Sequence, residues 1–369
     1  MKIQNISTLV ICILFSTSVM AGPFSITNRV YPTGTGQDAA VEAAISSAFD
    51  DLETQVNDEL PDISGGESYA EAMANSTAIA GRSIGVDYNS DMDLFMVGVR
   101  LGIAADVGSN SLSDVMSGDV DEKQIAGFGA GLALAGGLNL GMFDFSKNQS
   151  SDSLFRWDDM NLFFNVFKYD IDQDDVNANT TTFGVHLQWK WIKARPIVPY
   201  FFKWTGVQLT TGYEYNHLEA SVSQSITETF TETVNIGGNQ TVEATTSGTA
   251  TIGMDVTTHS IPIEITTGAQ LLYFLTFYTG LGASLNFGSG SANVDLNTPI
   301  SADISGTING NASGTAVLDL GLDSGPTLAM FRGFGGVQFN FWIAKLYFQF
   351  DKVLNEDIYA AKTGLSVVW

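Results

Sequence analysis

Apolar and polar residues alternate strictly through most of the chain from about residue 90 onward. Between residues 181 and 192, one face carries the apolar set Phe183, Val185, Leu187 and Trp189, and the other face carries Gly184, His186, Gln188 and Lys190. Equivalent alternation occurs in 124–143, 204–216, 260–270 and 275–287. Because successive side chains of a β-strand point to opposite faces, each segment predicts a strand with one dry and one wet side.

The pattern predicts ten strands, at 92–105, 124–143, 160–170, 180–192, 200–217, 257–271, 275–287, 326–342, 345–352 and 357–369. Segment 124–143 contains Gly136-Gly137 and could form two strands, which leaves a count of twelve open. The clearest strands run for about 11–16 residues. That is longer than the roughly 5–6 residues usual in globular sheets and suits a tilted crossing of hydrocarbon.

Aromatic residues cluster around the shortest connections. Trp189 and Trp191 precede the 193–199 turn. Other aromatic residues surround the next short turn or lead into Ala344-Lys345, namely Tyr273, Phe274 and Phe277 at the first and Phe339, Phe341 and Trp342 at the second. Such clusters are typical of an aromatic girdle at one membrane interface. The opposite connections are long and polar, and two of them, 218–256 and 288–325, are predicted to be large external hairpins. Residues 204–331 contain no Lys or Arg, so we expect an acidic outer surface.

The N-terminal residues follow other rules. A short basic start and an apolar run from Ile6 to Met20 predict a signal peptide over 1–21, cleaved near Ala21. Segment 22–90 is predicted to be a helical plug or a periplasmic segment, because an apolar stripe predicts a helix over 38–60 and a smaller helix follows at 68–80. We expect the first helix to dock on the second helix or on the mouth of the sheet structure.

The signal peptide, the alternating strands, the aromatic turns and a last strand ending in Trp369 together resemble bacterial outer-membrane β-barrel proteins. The likeness covers roughly residues 90–369. It implies an all-β fold, a closed antiparallel barrel of about ten strands within a range of roughly 8–14. It also implies the outer membrane of a Gram-negative-type bacterium, a lipid bilayer as partner, and both chain ends on the periplasmic side. By resemblance, Trp369 is the signal that the barrel-assembly machinery recognises.

The helical segment before the barrel also resembles the long-chain fatty-acid transporters, although no motif of the chain specifies that family. Closure of the sheet has a physical basis, because a bilayer offers no water to hydrogen-bond the backbone groups of an open sheet edge.

Composition excludes several classes of function. The chain has 40 acidic and 16 basic residues and a formal net charge of −24, which argues against nucleic-acid binding. Its single cysteine, Cys12, lies in the predicted signal peptide and excludes a disulfide framework. Segment Asp170-x-Asp172-x-Asp174 begins like a calcium loop but lacks the turn glycine and the closing glutamate. We therefore expect neither a metal nor a cofactor.

Catalysis has little support in the sequence. His186 lies on a wet face, whereas His217 and His259 fall on the outward apolar phase, and no G-x-S-x-G motif accompanies them. We therefore expect that the protein is not an enzyme.

Placing the wet faces inward yields six candidate lumen-lining residues: Arg100, Lys190, Glu214, Glu264, Arg332 and Lys362. Such charges could line a conduction path or pair across the bore and brace it shut. On the same inward phase lie apolar residues suited to a hydrophobic ligand or to a plug: Leu94, Met96, Leu328, Met330 and Phe334.

Three functions follow from this pattern, in order of preference. The first is a channel or transporter for small or hydrophobic solutes. The second is a surface-exposed structural or adhesion barrel with a closed lumen. The third is an outer-membrane hydrolase.

Overall fold

The computed structural model describes residues 25–31, 38–59, 66–89, 92, 94–108, 127–143, 155–173, 175–235, 239–305 and 310–369. The predicted signal peptide and its cleavage position near Ala21 lie outside these residues. Two helices are present in the described part, α1 (Asp38–Glu59) and α2 (Gly66–Gly81). Neither helix has the length and hydropathy that a bilayer-spanning helix requires.

The described residues also form thirteen strands of one antiparallel sheet. They are β1 (Ser25–Val30), β2 (Phe95–Asp106), β3 (Gly127–Asn139), β4 (Met160–Gln173), β5 (Val176–Ile192), β6 (Arg195–Val198), β7 (Phe202–Asn235), β8 (Asn239–Leu271), β9 (Leu275–Ser305), β10 (Gly310–Ser324), β11 (Ala329–Phe341), β12 (Ala344–Val353) and β13 (Ile358–Val368).

Ten of these strands close into a barrel. Pairing runs in the order β2-β3-β4-β5-β7-β8-β9-β11-β12-β13, and β13 pairs back with β2 from Ile358↔Asp106 to Val368↔Met96. The predicted closed antiparallel barrel of about ten strands is therefore confirmed. The alternative of twelve strands is wrong, because β3 is one strand that ends in the short 3-10 turn Leu140–Met142.

The outer wall of the barrel is apolar. Leu281, Leu285 and Phe287 of β9 and Ile263 of β8 are all about half exposed or more, whereas Gly280, Ser284 and Asn286 of β9 lie on the inward face and are buried. From Phe277 to Phe287 the exposed stripe covers ten residue steps, about 33 Å of strand and about 25 Å of height at a tilt near 40°. This height matches the apolar band of a membrane barrel.

The two ends of the barrel differ. One end, here the turn end, carries the short connections 272–274 and 342–343 together with Trp369. The Trp369 ring stacks on Phe95 with 4.8 Å between centroids. Exposed aromatic side chains surround this end, namely Tyr200, Phe201, Tyr273, Phe274 and Trp342.

The opposite end, here the hairpin end, extends far beyond the ring. β7 pairs with β8 out to Asn235↔Asn239, and β9 pairs with β10 out to Ile304↔Gly310. With β1 at its edge, the order β7-β8-β9-β10-β1 forms the projecting sheet. The last partner of β7 on β5 is Val176, opposite Val222, so β7 continues for about 43 Å beyond that pair.

The N-terminal elements lie on the projecting sheet. Ile26 of β1 pairs with Ala316 of β10, and α1 packs against β1 and β7. Arg29 fixes α1 through ion pairs with Asp50 at 2.7 Å and Glu53 at 2.6 Å. Both ends of the ten-stranded ring lie at the turn end, as an even strand number requires. For the described segment before the ring, the prediction that both chain ends share one side is wrong, because β1 lies at the hairpin end and Trp369 lies at the turn end.

Candidate functional site: the plugged bore

The bore contains residues 66–89, here the plug, which consist of α2 and the turn that follows it. Ala74, Ile79 and Ile84 are 0% exposed, and α2 contacts strands around the ring, including β2, β3, β7, β8, β9 and β13. Ala70 lies against Gly290 near the hairpin end, and Met92, just beyond the plug, lies against Gly137 near the turn end. The chain therefore runs through the ring from the hairpin end to the turn end.

The wall is shaped to accept a helix on the β2–β3 side. The inward face of β3 carries glycine and alanine, and a Cβ built on Gly129 would lie 2.3 Å from the carbonyl carbon of Ser76. The α2 backbone therefore packs directly on the β3 backbone. The sequence of α2 matches this closeness, because it is rich in alanine, glycine and serine.

Apolar contacts hold both halves of the plug. Ile79 belongs to a buried cluster with Met330 of β11, and Tyr88 belongs to another with Met96 and Phe334. The structure thus places the three apolar candidates Met96, Met330 and Phe334 in clusters with plug residues. Leu94 and Leu328, predicted to face inward, are 47% and 66% exposed. Both precede the first residue of their strands, so the alternation does not fix their direction.

A buried network of charges, here the latch, ties the plug to four strands. The Tyr88 hydroxyl donates to Glu264 of β8 at 2.6 Å, and Glu264 forms an ion pair with Arg332 of β11. Arg332 also pairs with Asp351 of β12 at 2.6 Å, and Asp351 pairs with Lys362 of β13 at 2.8 Å. Because all five side chains are buried, each charge depends on its partners in place of water.

Backbone groups of the plug join the same network. The Lys362 ammonium donates to the Arg82 carbonyl at 2.7 Å, and the Arg82 guanidinium donates to the side-chain oxygen of Asn286 at 2.9 Å. The Ser83 amide donates to Glu214 of β7. Nε2 of His186 lies 3.2 Å from the same carboxylate. The turn after α2 is therefore fixed to several strands at once.

A second contact holds the plug nearer the turn end. Lys345 of β12 pairs with Asp87 at 3.2 Å, and the Gln188 amide donates to the Asp87 carbonyl at 3.1 Å. Asn161 of β4 in turn donates to Gln188 at 3.1 Å. These contacts connect the plug to strands on both sides of the ring.

The predicted lumen residues divide into groups. Arg100, Glu214, Glu264, Arg332 and Lys362 are buried, whereas Lys190 is half-buried near the turn end. The structure joins Glu264, Arg332 and Lys362 in the latch and joins Glu214 to the plug. Arg100 lies apart from the latch, with its guanidinium over the Tyr347 ring at 4.5 Å.

Sequence reasoning missed Arg82, Asp87, Tyr88 and Asp351. Asp351 could have been found from the alternation. Phe348 and Phe350 point outward, so Gln349 and Asp351, which alternate with them, point inward. The three plug residues lie outside any periodic segment, so alternation gives no signal for them.

A hydroxyl group at the hairpin-end mouth contacts two carboxylates. Thr327 Oγ1 lies 2.9 Å from Glu71 of α2 and 3.0 Å from Glu356 in the turn between β12 and β13. One hydroxyl proton serves only one carboxylate at a time. Burial raises the pKa of Glu356, and the negative charges of Glu71 and Asp106 raise it further.

Some buried polar groups beside the plug have no hydrogen-bond partner among the described residues. They include the side chains of Asn165, Thr210 and Asn216, on β4 and β7. Asn216 lies directly beside Gly81 at the end of α2. Within the part of the chain that the structure describes, all polar side-chain atoms of these three residues are thus unpartnered, whereas Arg332 in the latch is left with one unpartnered atom, Nε.

The remaining chemical candidates lie outside the bore. His217 contacts Thr257 at 3.1 Å, and the His259 ring stacks on Phe287 with 5.1 Å between centroids. Asp170 and Asp172 are exposed, and Asp174 lies outside the described residues. No group of three potential metal ligands occurs within the described part of the chain.

Several solved structures resemble this fold. The translocator domain of the autotransporter NalP from Neisseria meningitidis shares 9% identity, covers 90% of this chain and 100% of its own, and has a TM-score of 0.25. Omp33 of Acinetobacter baumannii shares 9% identity, covers 76% of this chain and 100% of its own, and has a TM-score of 0.23. LpxR from Salmonella typhimurium shares 10% identity, covers 74% of this chain and 100% of its own, and has a TM-score of 0.26. At TM-scores this low the likeness carries no argument for this chain.

A search of the curated proteins found no match. A family model, in contrast, matches residues 22–369, which include the plug, the ring and the projecting sheet. The chain belongs to the Lsa36-like family.

Proposed function

We propose that the protein is an outer-membrane β-barrel of a Gram-negative-type bacterium. Its own plug closes the barrel, and the barrel presents the projecting sheet outside the cell. The observation that carries this proposal is the plug itself. It occupies the bore, its turn is buried, and the latch joins it to four strands of the ring. Of the functions predicted from the sequence, a surface-exposed barrel with a closed lumen fits this geometry best.

The orientation follows from the two unequal ends. In outer-membrane barrels, short turns face the periplasm and long connections face outward. The hairpin end is then external, and the turn end with Trp369 faces the periplasm. We propose that Trp369 serves as the assembly signal, a role supported by its position at the end of β13, beside the closing pair with β2.

The projecting sheet is expected to bind a partner that carries positive charge. Exposed carboxylates on it include Glu219, Asp255, Asp295 and Asp323, and residues 204–331 contain no Lys or Arg. A surface of one sign steers partners of the opposite sign and weakens with added salt.

Fractionation and charge reversal test this proposal together. The protein is expected in the outer-membrane fraction, and protease added to intact cells is expected to cut the projecting sheet. Binding of a lysine-rich peptide is expected to fall in a Glu219→Lys, Asp255→Lys variant but not in a Lys193→Gln variant at the turn end. Recovery of the protein in a soluble fraction would contradict the proposed location.

A channel for small or hydrophobic solutes is the second candidate. The unpartnered side chains of Asn165, Thr210 and Asn216 favour it, because polar groups beside the plug suit a hydrated path. Swelling of protein-containing vesicles in small sugars is the corresponding test. Rapid swelling with the unmodified protein would support this candidate over a closed barrel.

We propose no hydrolytic activity. His186 lies in the bore beside Glu214, and no serine or cysteine nucleophile pairs with it among the described contacts. Hydrolysis of phospholipid or peptide that disappears in His186→Ala would overturn this part of the proposal.

A further inference from the structure

The plug divides the described chain into parts on opposite sides of the ring. β1 and α1 precede it and lie on the projecting sheet, whereas the residues after it join β2 at the turn end. The backbone therefore passes once through the closed barrel. In an exported protein that enters the membrane from the periplasm, residues 25–59 must have crossed the bilayer.

Hydrocarbon is a poor route for that crossing. α1 carries Glu42, Asp50, Asp51 and Glu53, and a charged side chain is strongly disfavoured at the centre of a bilayer. The bore is polar and already holds one helix, α2. A helix with its side chains is about 10–12 Å across, so α1 has the same requirement for space as the segment now in place.

The wall itself favours passage of a chain. Gly102 of β2 and Gly127, Gly129 and Gly131 of β3 present backbone rather than side chains toward α2. Large inward side chains would close a barrel of this size without any helix. Here the glycine-lined side, which we call the track, leaves a lengthwise space for a polypeptide.

We propose that the barrel exports polypeptide joined to its N-terminus through its own bore. Residues 25–59 are the native cargo, and the plug is the last part to enter and seals the passage through the latch. This inference rests on the proposed outer-membrane location. It adds an activity, the export of an N-terminal segment, to the presentation of the projecting sheet.

Single-cysteine labelling on intact cells tests the proposal. The only cysteine in the sequence is Cys12, inside the predicted signal peptide. Once the signal peptide is removed, an introduced cysteine is therefore the only site that the probe can label. Three full-length variants are compared: Ser47→Cys on α1, Thr249→Cys on the projecting sheet and Phe274→Cys at the turn end. All three positions are exposed, and a bulky maleimide that does not cross membranes is the probe.

The expected result is labelling of Ser47→Cys and Thr249→Cys on intact cells, with Phe274→Cys labelled only after permeabilisation. Labelling of Thr249→Cys without Ser47→Cys on intact cells would overturn the export proposal and leave the proposed location intact. Labelling of Phe274→Cys alone, or of none of the three, would overturn the proposed location and the export proposal with it.

A substitution on the track separates export from simple placement. Gly129→Leu fills the track, whereas Gly333→Leu adds the same side chain on the outer face, where a Cβ first meets Leu281 at 3.7 Å. With Gly129→Leu, labelling at Ser47→Cys is expected to be lost while labelling at Thr249→Cys remains. Unchanged labelling at both positions would overturn passage along the track.

Discussion

The Tyr88 hydroxyl lies 2.6 Å from a carboxylate oxygen of Glu264, although 176 residues separate the two in sequence. The same hydroxyl lies 2.9 Å from the Arg332 guanidinium. One plug side chain therefore contacts both charges of a buried ion pair in the barrel wall. The plug therefore stabilises the charges of the barrel wall as well as filling the bore.

Removing that hydroxyl is expected to weaken the attachment of the plug. Tyr88→Phe keeps the ring packed against Phe334 but leaves the Glu264 carboxylate one donor short, which costs about 1–3 kcal/mol. The midpoint of thermal unfolding in detergent is expected to fall. Tyr169→Phe, at an exposed position of β4, is the control and is expected to leave the midpoint unchanged. Equal midpoints for both variants would contradict a stabilising role of the latch.

The close packing of α2 on β3 leads to a second prediction. Gly129→Val places side-chain atoms where the Ser76 backbone now lies, so α2 must move away from the wall. We expect protease to cut residues within 66–89 much faster in this variant. Gly333→Val on β11 is the control, because only side-chain atoms lie near its Cβ, at 3.7 Å or more. Similar cleavage of both variants would show that α2 does not pack on β3.

The paired carboxylates at the hairpin-end mouth predict a dependence on pH. The pKa of Glu356 is raised above its ordinary value of 4.5 in the folded protein, so the folded state binds this proton more tightly than the unfolded state. The protonated Glu356 side chain does not destabilise the folded state. The ionised carboxylate does, and this destabilisation grows as the pH rises through the pKa of the folded state. The contribution of Glu356 to stability is therefore expected to fall as the pH rises above about 4.5.

Glu356→Gln removes this titration and is expected to raise the thermal midpoint at about pH 7. The midpoint should also change less between acidic and neutral pH than in the unmodified protein. Glu219→Gln, on the projecting sheet, is the control. A midpoint that depends on pH equally in Glu356→Gln and the unmodified protein would refute the proposed role of this carboxylate.

The apolar outer wall predicts where a charge is tolerated. Ile263 is 63% exposed in the part of β8 that belongs to the ring, and Ile263→Lys is expected to cost about 2–4 kcal/mol in lipid vesicles. Thr249→Lys lies on the same strand but beyond the ring and should cost nothing measurable. The free energy of unfolding in vesicles, obtained from denaturant titration, provides the comparison. An unaffected Ile263→Lys would mean that this face does not contact lipid.

The strands of the barrel were predictable because alternation is a local signal. Each of the ten predicted strands overlaps one strand of the ring, and the inward phase placed Glu264 and Arg332 on the bore side. The outer parts of β7, β8 and β9 were predicted as the external hairpins 218–256 and 288–325 and not as continuations of those strands. They are rich in Thr, Ser and Gly and carry a single aromatic residue, Phe230, so the signal that marked the lipid-facing segments is missing.

The path of the N-terminal segment was not predictable in the same way. The even number of strands predicted both chain ends on the periplasmic side, and it left open whether segment 22–90 plugs the bore or lies in the periplasm. The match between the small residues of α2 and the glycine face of β3 is a contact between distant segments with no periodic signature. Tyr88 and Asp87 lie in a turn, so only the three-dimensional arrangement reveals their partners.

Electrical conductance across a planar lipid bilayer tests most directly whether the plug closes the bore at rest. The unmodified protein is expected to be silent. A Glu264→Gln, Arg332→Gln variant, in which the latch loses its main ion pair and Asp351 loses a partner, is expected to show discrete current steps. Steady steps with the unmodified protein that disappear in this variant would contradict the account, because the same charges would then line an open conduction path.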